Sequence, residues 1–170
     1  MSEFSLIARH LTGLGTARDD VLLDVGDDCA LLDIPDDRDL AVSIDTLVAG
    51  VHFLPDTNPA SLGHKALAVG LSDLAACGAE PAWATLALTL PEPNQDWLRA
   101  FSQGFSEMAR REDVRVVGGD LTRGPLTISV QVHGFVPKGH ALRRGGANPE
   151  DLICVSGALG DAGLALWHLK

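Results

Sequence analysis

The chain opens with a helical pattern and continues with short apolar runs. Its first apolar residues recur at three- and four-residue spacing, which predicts an amphipathic helix over residues 3–14. The apolar runs that follow are bounded by polar or turn-forming residues, as is typical of strands. These runs span residues 21–25, 29–34 and 40–44. The N-terminal region is therefore predicted to be one helix followed by short strands.

A longer helix is predicted near the middle of the chain. Asn58 and Pro59 form a typical helix start, an N-cap followed by proline in the first turn. The helix is expected to run to about Cys77 and to stop at Gly78, because glycine favours the backbone conformation found just beyond helix ends.

Strands and helices continue through the second half. Residues 82–90 form an apolar run that predicts a buried strand, and residues 94–112 carry an apolar stripe that predicts a helix. Residues 126–136 alternate apolar and polar side chains, as a half-buried strand does. The remaining predictions are strands over residues 115–117 and 152–155 and a helix that starts at Gly160. The order indicates an α/β (α+β) domain with a mixed β-sheet and helices packed on one face, without internal repeats.

Composition narrows the class of protein. A chain of 170 residues with 46% hydrophobic residues can bury a core and fits one domain or slightly more. Its net charge of -10 argues against nucleic acid as the main partner, because phosphate backbones are bound by Lys and Arg. It also argues against binding to an anionic membrane surface. No apolar run reaches the roughly 18 residues of a membrane span.

Cysteine usage indicates a reducing compartment. Cys29, Cys77 and Cys154 are isolated, and neither a CxxC pair nor a zinc-ligand spacing is present. The first residues, MSEFSLIARHL, lack the basic, apolar and small-residue regions of a signal peptide. The cytoplasm is therefore the expected location.

Four aspartate motifs carry the candidate chemistry. Three lie at or just beyond the end of an apolar run, and the fourth supplies the only charge in an apolar stretch over residues 66–79. Carboxylates from separate elements repel each other unless they share a hard cation, which takes oxygen ligands. The pattern therefore predicts a magnesium-dependent phosphoryl-transfer site. The motifs are Gly26-Asp27-Asp28, Ser43-Ile44-Asp45, Leu71-Ser72-Asp73 and Gly118-Gly119-Asp120.

Three of these motifs also have a simpler structural interpretation. Gly-Asp sequences form turns, and the segment from Ser43 to Asp45 could end a strand with a turn. An unpaired buried carboxylate is costly, so Asp73 lies at the exposed edge of its helix, caps a polar group or holds a cation. We favour the cation. His52 lies between two apolar residues, where a histidine is more often structural than a ligand.

Candidate phosphate contacts follow the last aspartate motif. Gly118 and Gly119 would let backbone amides approach phosphate oxygens. Arg143 and Arg144 supply positive charge that suits bidentate phosphate contacts, although the pair could equally be a solvated surface feature. Neither GxxxxGK[ST] nor GxGxxG is present, so a Walker loop and a Rossmann dinucleotide site are not predicted.

The order and spacing of five segments resemble the thiamine-monophosphate kinase family. These segments are GDDCALL, SIDTLVAGVHF, KALAVGLSDLAACGAEPAW, VVGGDLTRGPL and GFVPKGHALRRGGA. That family shares a superfamily with aminoimidazole ribonucleotide synthetase, selenophosphate synthetase and the hydrogenase-maturation ATPase. The resemblance implies the N-terminal domain of the aminoimidazole ribonucleotide synthetase-like fold, which forms a homodimer through its sheet and binds ATP at the clefts between domains.

The resemblance also implies a reaction and a set of roles. ATP would give its γ-phosphate directly to thiamine monophosphate, with Mg²⁺ bridging the phosphates and no protein nucleophile. Carried over by position, His52 would contact the substrate, and Gly119, Asp120 and Arg144 would line the ATP phosphates. The implied magnesium ligands are Asp28, Ser43, Ile44, Asp45, Asp73 and Asp120.

Two departures from the family pattern bear on these roles. Position 44 is Ile where the family often has Thr, so Ile44 could offer only its backbone carbonyl to a metal ion. Position 70 is Gly where Asn is expected, which changes little.

The resemblance covers only the N-terminal half of the family's pattern, so residues 1–150 are expected to form the N-terminal ATP- and magnesium-binding dimerisation domain. Residues 151–170 are expected to start a truncated C-terminal domain. Two alternatives stay open: a non-catalytic fragment that folds and dimerises, and a sister ATP-dependent enzyme of the superfamily.

Overall fold

The structure of the protein, a computed structural model, describes residues 3–169. Met1, Ser2 and Lys170, which the predicted domain ranges include, lie outside the described residues. The helices are α1 (Glu3–His10), α2 (Pro59–Ala76), α3 (Gln95–Arg111) and α4 (Asp161–Leu169). The strands are β1 (Val21–Leu23), β2 (Leu31–Leu32), β3 (Arg38–Val48), β4 (Glu80–Leu90), β5 (Arg115–Arg123) and β6 (Thr127–Pro137).

Four strands form the main sheet, in the order β3-β6-β4-β5. β6 runs antiparallel to both β3 and β4, whereas β4 and β5 are parallel and are joined through α3. A parallel pair needs such a crossover, since a tight turn cannot return the chain to the same end of the sheet. The predicted mixed α/β sheet is thus confirmed, with β3 and β5 as its two edges.

Helices α2 and α3 cover one face of the sheet and form the core with it. Phe101 and Phe105 of α3 are fully buried, as are Ile128 and Val132 of β6, whose alternation predicted this face. The start of α2 matches the prediction, because the Asn58 side chain accepts hydrogen bonds from the backbone amides of the first turn. Helix α2 therefore packs against β3, β4 and β6, and α3 packs against α2 and β5.

The opposite face is only partly covered. The β1–β2 pair packs over one end of it, against Trp83 and Phe135. Leu40, Val42 and Ile44 of β3 remain exposed on this outer face. These side chains form an uncovered apolar surface on the edge strand.

The pKa values of Asp20 and His133, two side chains near Trp83, are shifted from their ordinary values. Partial burial opposes the charged form of Asp20, but hydrogen bonds from Arg18 and the Trp83 indole outweigh it, so the pKa of Asp20 lies below its ordinary value. Burial lowers the pKa of His133, whose ring lies beside Trp83 and near Gln131. The lowered pKa values favour the charged form of the Asp20 carboxyl group and the neutral form of the His133 imidazole.

Several predicted boundaries were wrong. β3 extends through residues 43–48 and β5 extends through Gly118, Gly119 and Asp120, so two of the aspartate motifs lie within strands rather than beyond them. Both extensions follow from partner strands: β6 pairs along all of β3, and β4 pairs with β5 through residue 123. The predicted strand over residues 152–155 is irregular, because no strand lies beside it among residues 3–169.

The end of the chain differs from the rest. Helix α4 forms as predicted after Gly160, yet each of its described side chains is exposed, including Trp167 at 72%. None of the helices described between residues 3 and 169 combines the length and hydrophobicity needed to cross a bilayer.

Candidate functional site

Ser43 and Asp73 meet between the edge strand β3 and helix α2. The Ser43 hydroxyl donates to the Asp73 Oδ2 at 2.7 Å, although the two residues are 30 positions apart. Asp73 is exposed and therefore lies at the solvent-facing edge of helix α2, one of the three positions expected for it from the sequence. A carboxylate and a hydroxyl held together at a solvent-accessible position form a hard-oxygen donor pair, which suits Mg²⁺.

The same pair lines an open cleft of ≈ 410 Å³ with Arg143 and Arg144. The two arginines follow β6 in the chain and reach the cleft because the Leu142 amide donates to the Cys77 carbonyl at the end of α2. The cleft thus combines anionic oxygens with guanidinium groups, the two kinds of contact that a metal-bound polyphosphate requires. Both arginines were candidate phosphate contacts from the sequence, although the family resemblance implied a role for Arg144 alone; the structure places Arg143 at the same cleft.

Alternation along β3 separates the residues of the Ser43-Ile44-Asp45 motif. Ser43 and Asp45 are half-buried on the side of the helices, whereas the Ile44 side chain is 62% exposed on the outer face. Successive residues of a strand point to opposite faces. The Ile44 side chain therefore cannot join Ser43 and Asp73, which leaves only its backbone carbonyl as a metal contact.

His52 lies in the turn that follows β3. Its Nδ1 accepts a hydrogen bond from the Val48 amide at 3.0 Å, so the neutral ring carries its proton on Nε2. The residue is exposed, and its carbonyl accepts a hydrogen bond of 2.6 Å from the Lys65 ammonium. His52 can therefore donate from Nε2 to a ligand. Lys65 was missed because nothing in the sequence pairs a helix lysine with a carbonyl 13 residues earlier.

The Gly118-Gly119-Asp120 segment is part of β5, so the predicted phosphate-binding loop was wrong in its local structure. Gly119 has φ of +152°, and a Cβ added there would lie 1.9 Å from the Leu86 carbonyl oxygen. The glycine is required because the backbones of β4 and β5 approach each other closely at this point. Asp120 is exposed and lines a small cavity of ≈ 40 Å³ with Gly119 and Val25.

Val25 directly precedes the Gly26-Asp27-Asp28 motif, so this motif lies on the β5 side of the molecule. Asp28 is exposed, and its backbone amide donates to the Asp27 carboxylate at 2.8 Å. That contact is the turn chemistry considered as the simpler interpretation of the motif. It leaves the Asp28 carboxylate accessible.

The predicted ligands form two groups at opposite edges of the sheet. Asp45 pairs with Val130, Val130 with Leu86, and Leu86 with Gly119, so Asp45 and Gly119 are separated by three strand spacings, or roughly 14 Å. Within residues 3–169, no group of three or more His, Cys, Asp or Glu side chains is arranged to hold a metal ion. Magnesium often takes one or two carboxylates and completes its shell with water and substrate phosphates, which suits the Ser43–Asp73 pair.

Comparisons with known proteins agree with this architecture. The chain is 57% identical over 166 residues to thiamine-monophosphate kinase from Escherichia coli, which covers 96% of this chain and 51% of that relative. The crystal structure of thiamine-monophosphate kinase from Stenotrophomonas maltophilia is 50% identical with a TM-score of 0.83, covering 98% of this chain and 52% of that one. A solved structure of AaThiL complexed with AMPPCP and TMP is 34% identical with a TM-score of 0.73, covering 80% of this chain and 45% of that one.

The resemblance inferred from the five segments is thus confirmed, and the chain spans about half the length of the thiamine-monophosphate kinases that it matches. Residues 26–136 match the family described as AIR synthase related protein, N-terminal domain. This match includes β3, α2, β5 and nearly all of β6, and hence both groups of candidate ligands. The chain therefore belongs to the family of AIR synthase related proteins, of which it carries the N-terminal domain.

Proposed function

We propose that this chain is the ATP- and magnesium-binding part of a thiamine-phosphate kinase, which transfers the γ-phosphate of ATP to thiamine monophosphate and forms thiamine diphosphate. The observation that carries the proposal is the Ser43–Asp73 pair in a cleft shared with Arg143 and Arg144. The similarity to named thiamine-monophosphate kinases and to a complex with AMPPCP and TMP supports the choice of substrates.

The oxygen donors of the chain fit Mg²⁺. Ser43, Asp45 and Asp73 would bind it at the β3 edge, where Ile44 could add its backbone carbonyl. Asp28 and Asp120 would bind it from the β5 edge. These are carboxylate, hydroxyl and carbonyl oxygens, the donors that this hard cation prefers. When bound, Mg²⁺ neutralises the charge of the transferred phosphoryl group.

The remaining residues bind and orient the two substrates. Arg144, with Arg143 beside it, would contact the ATP phosphates in the cleft, and Gly119 and Asp120 would approach them from the other edge. His52 would donate from Nε2 to thiamine monophosphate. No side chain is needed as a nucleophile, because the terminal phosphate of thiamine monophosphate attacks directly and catalysis consists of positioning and charge neutralisation.

A homodimer formed through the outer face of the sheet is part of the proposal. Leu40, Val42 and Ile44 expose apolar surface there, which a second copy would cover. Because the two ligand groups lie at opposite edges of one sheet, a dimer is also a means of placing groups from different edges near one substrate. Sedimentation of the chain as a monomer at micromolar concentration would contradict this part.

The domain division and the compartment belong to the same proposal. Residues 1–150 would form the binding and dimerisation domain, and residues 151–170 would begin the next domain, which would cover the exposed side chains of α4. Cys29, Cys77 and Cys154 are all free and exposed. Exposed thiols of this kind persist in a reducing compartment, so we propose the cytoplasm.

The test is formation of thiamine diphosphate from thiamine monophosphate, ATP and Mg²⁺. It is run with the 170-residue chain and with a chimaera that joins this chain to the remaining half of the Escherichia coli relative. We expect the chimaera to form product, and chelation of the metal ion to abolish it. The control is the chimaera carrying Asp45→Asn, which should fold but lose activity.

The two alternatives predict different results. If the chimaera forms product and the 170-residue chain does not, the chain is a binding domain that depends on the second half for catalysis. A chimaera that binds ATP with Mg²⁺ but phosphorylates a different small acceptor would favour a sister enzyme of the superfamily. A folded chimaera without any magnesium-dependent nucleotide binding would contradict the proposed function.

A further inference from the structure

Helix α2 forms polar contacts with β3 and with the turn after it at two points. The Asp73 carboxylate accepts a hydrogen bond of 2.7 Å from the Ser43 hydroxyl. The Lys65 ammonium group donates a hydrogen bond of 2.6 Å to the His52 carbonyl oxygen. Lys65 and Asp73 are eight residues apart, which corresponds to about 12 Å along a helix. The helix therefore sets the separation between the candidate metal ligands and the histidine assigned to the phosphate acceptor.

The turn that carries His52 is closed mainly by its own backbone. Hydrogen bonds run from the Gly50 amide to the Phe53 carbonyl and from the Val51 and His52 amides to the Val48 carbonyl, and the Ala49 amide donates to the Leu126 carbonyl. Phe53 is buried, whereas Val51 and His52 are exposed. The orientation of the imidazole depends on the peptide group of His52 and on the hydrogen bond that the Val48 amide donates to its Nδ1. A bond to the His52 carbonyl consequently acts on the ring through the backbone.

We propose that Lys65 is a positioning residue for His52, which rests on the proposed function because it concerns the same site. Its ammonium group holds the turn on α2 by a charge-assisted hydrogen bond, the stronger kind of hydrogen bond. The turn then presents the Nε2–H of His52 in one orientation to the phosphate-bearing acceptor. Lys65 is exposed, so removing its ammonium group leaves the core untouched.

The first experiment reads the position of His52 without any ligand. Lys65→Met keeps the apolar stem and loses the donor, whereas Lys65→Arg keeps a donor. Arg110→Met, which removes a positive charge from an exposed position of α3, serves as the control. The readouts on the 170-residue chain at pH 8 are hydrogen exchange of the Val48 amide and the ¹⁵N chemical shifts of the His52 ring.

We expect Lys65→Met to accelerate exchange of the Val48 amide about tenfold or more, since local opening governs this exchange. The ring signals should move from the Nε2–H pattern towards an average of both tautomers. Lys65→Arg and Arg110→Met should resemble the unaltered chain. Unchanged exchange and ring signals in Lys65→Met would overturn the proposal.

The second experiment measures binding of thiamine monophosphate and of AMPPCP with Mg²⁺ by calorimetry. Lys65→Met should lower the affinity for thiamine monophosphate about five- to tenfold, which corresponds to the loss of one well-placed contact. The affinity for AMPPCP should stay unchanged. Lys65→Met could lower the affinity for thiamine monophosphate while Val48 exchange and the His52 ring shifts stay unchanged. That result would mean that Lys65 contacts the ligand itself, and it would overturn the proposed positioning role. If the His52 signature changes while the unaltered chain binds no thiamine monophosphate, positioning stands and the proposed acceptor fails.

Discussion

The two edges of the sheet present candidate ligands in different ways. At the β3 edge, side chains are held by hydrogen bonds to helix α2, as Ser43 is by Asp73. At the β5 edge, the position of Asp120 depends on close backbone approach, since Gly119 leaves no room for a side chain beside Leu86. Chemistry at the first edge can therefore be removed without harming the fold, whereas geometry at the second cannot be altered without breaking the sheet.

The largest effect is expected from Gly119→Ala. The new methyl group would lie 1.9 Å from the Leu86 carbonyl oxygen, at a backbone φ of +152° that side chains rarely adopt. We expect a loss of about 3 kcal/mol or more in the free energy of unfolding, measured by denaturant titration. The matched control is Gly118→Ala, whose methyl group would meet only the Thr85 side chain at 3.9 Å. Equal stability of the two variants would contradict the role given to Gly119.

Asp73→Asn should affect binding rather than the fold. The amide oxygen can still accept the Ser43 hydroxyl, but the negative charge that would attract Mg²⁺ is lost. We expect magnesium-dependent affinity for AMPPCP to fall about 10- to 100-fold, as measured by calorimetry, with little change in melting temperature. Asp19→Asn removes the same charge from an exposed turn and should leave the affinity unchanged. A drop of equal size in both variants would point to net charge instead of a site.

His133→Gln should change how stability depends on pH. Burial lowers the pKa of His133 below 6.5, so the unfolded chain takes up a proton more readily than the folded one. The stabilisation by the neutral ring is complete above pH 6.5 and is lost as the pH falls through the folded-state value. The free energy of unfolding, measured with urea at pH 7.5 and pH 5.5, should differ less between the two pH values in the variant than in the unaltered chain. An undiminished difference would remove His133 as a source of acid sensitivity.

The smallest effect is expected from Trp167→Ser. Trp167 is 72% exposed on α4, so its removal should change the free energy of unfolding by less than about 0.5 kcal/mol. Phe101→Ala, at a fully buried position of α3, should cost about 3–5 kcal/mol in the same titration. A large loss on removing Trp167 would show that α4 packs on the rest of the chain.

Patterns that depend on neighbours in sequence predicted the fold well. The Asn58 cap, the apolar stripe of α3 and the alternation of β6 all have local causes and were confirmed. The lengths of β3 and β5 could not be predicted, because they depend on which strands pair beside them. An apolar run over residues 152–155 looked like a strand for the same reason, since the sequence does not reveal that no strand between residues 3 and 169 lies beside it.

The candidate site shows the same limit. The motifs nominated Ser43 and Asp73 separately, and the structure brings them into contact. They also nominated Asp45 and Asp120 as members of one set, yet the sheet places these residues on opposite edges. The contact between Lys65 and the His52 carbonyl left no trace in the sequence, because any backbone carbonyl can accept such a bond.

The most direct test of a magnesium site at the β3 edge replaces Mg²⁺ by paramagnetic Mn²⁺, which takes the same oxygen ligands. With AMPPCP present, amide signals of the isotope-labelled chain broaden according to their distance from the ion. We predict that signals around Ser43, Asp45 and Asp73 broaden at the lowest Mn²⁺ concentration. Broadening confined to Asp28 and Asp120, with the β3 edge unaffected, would contradict the assignment.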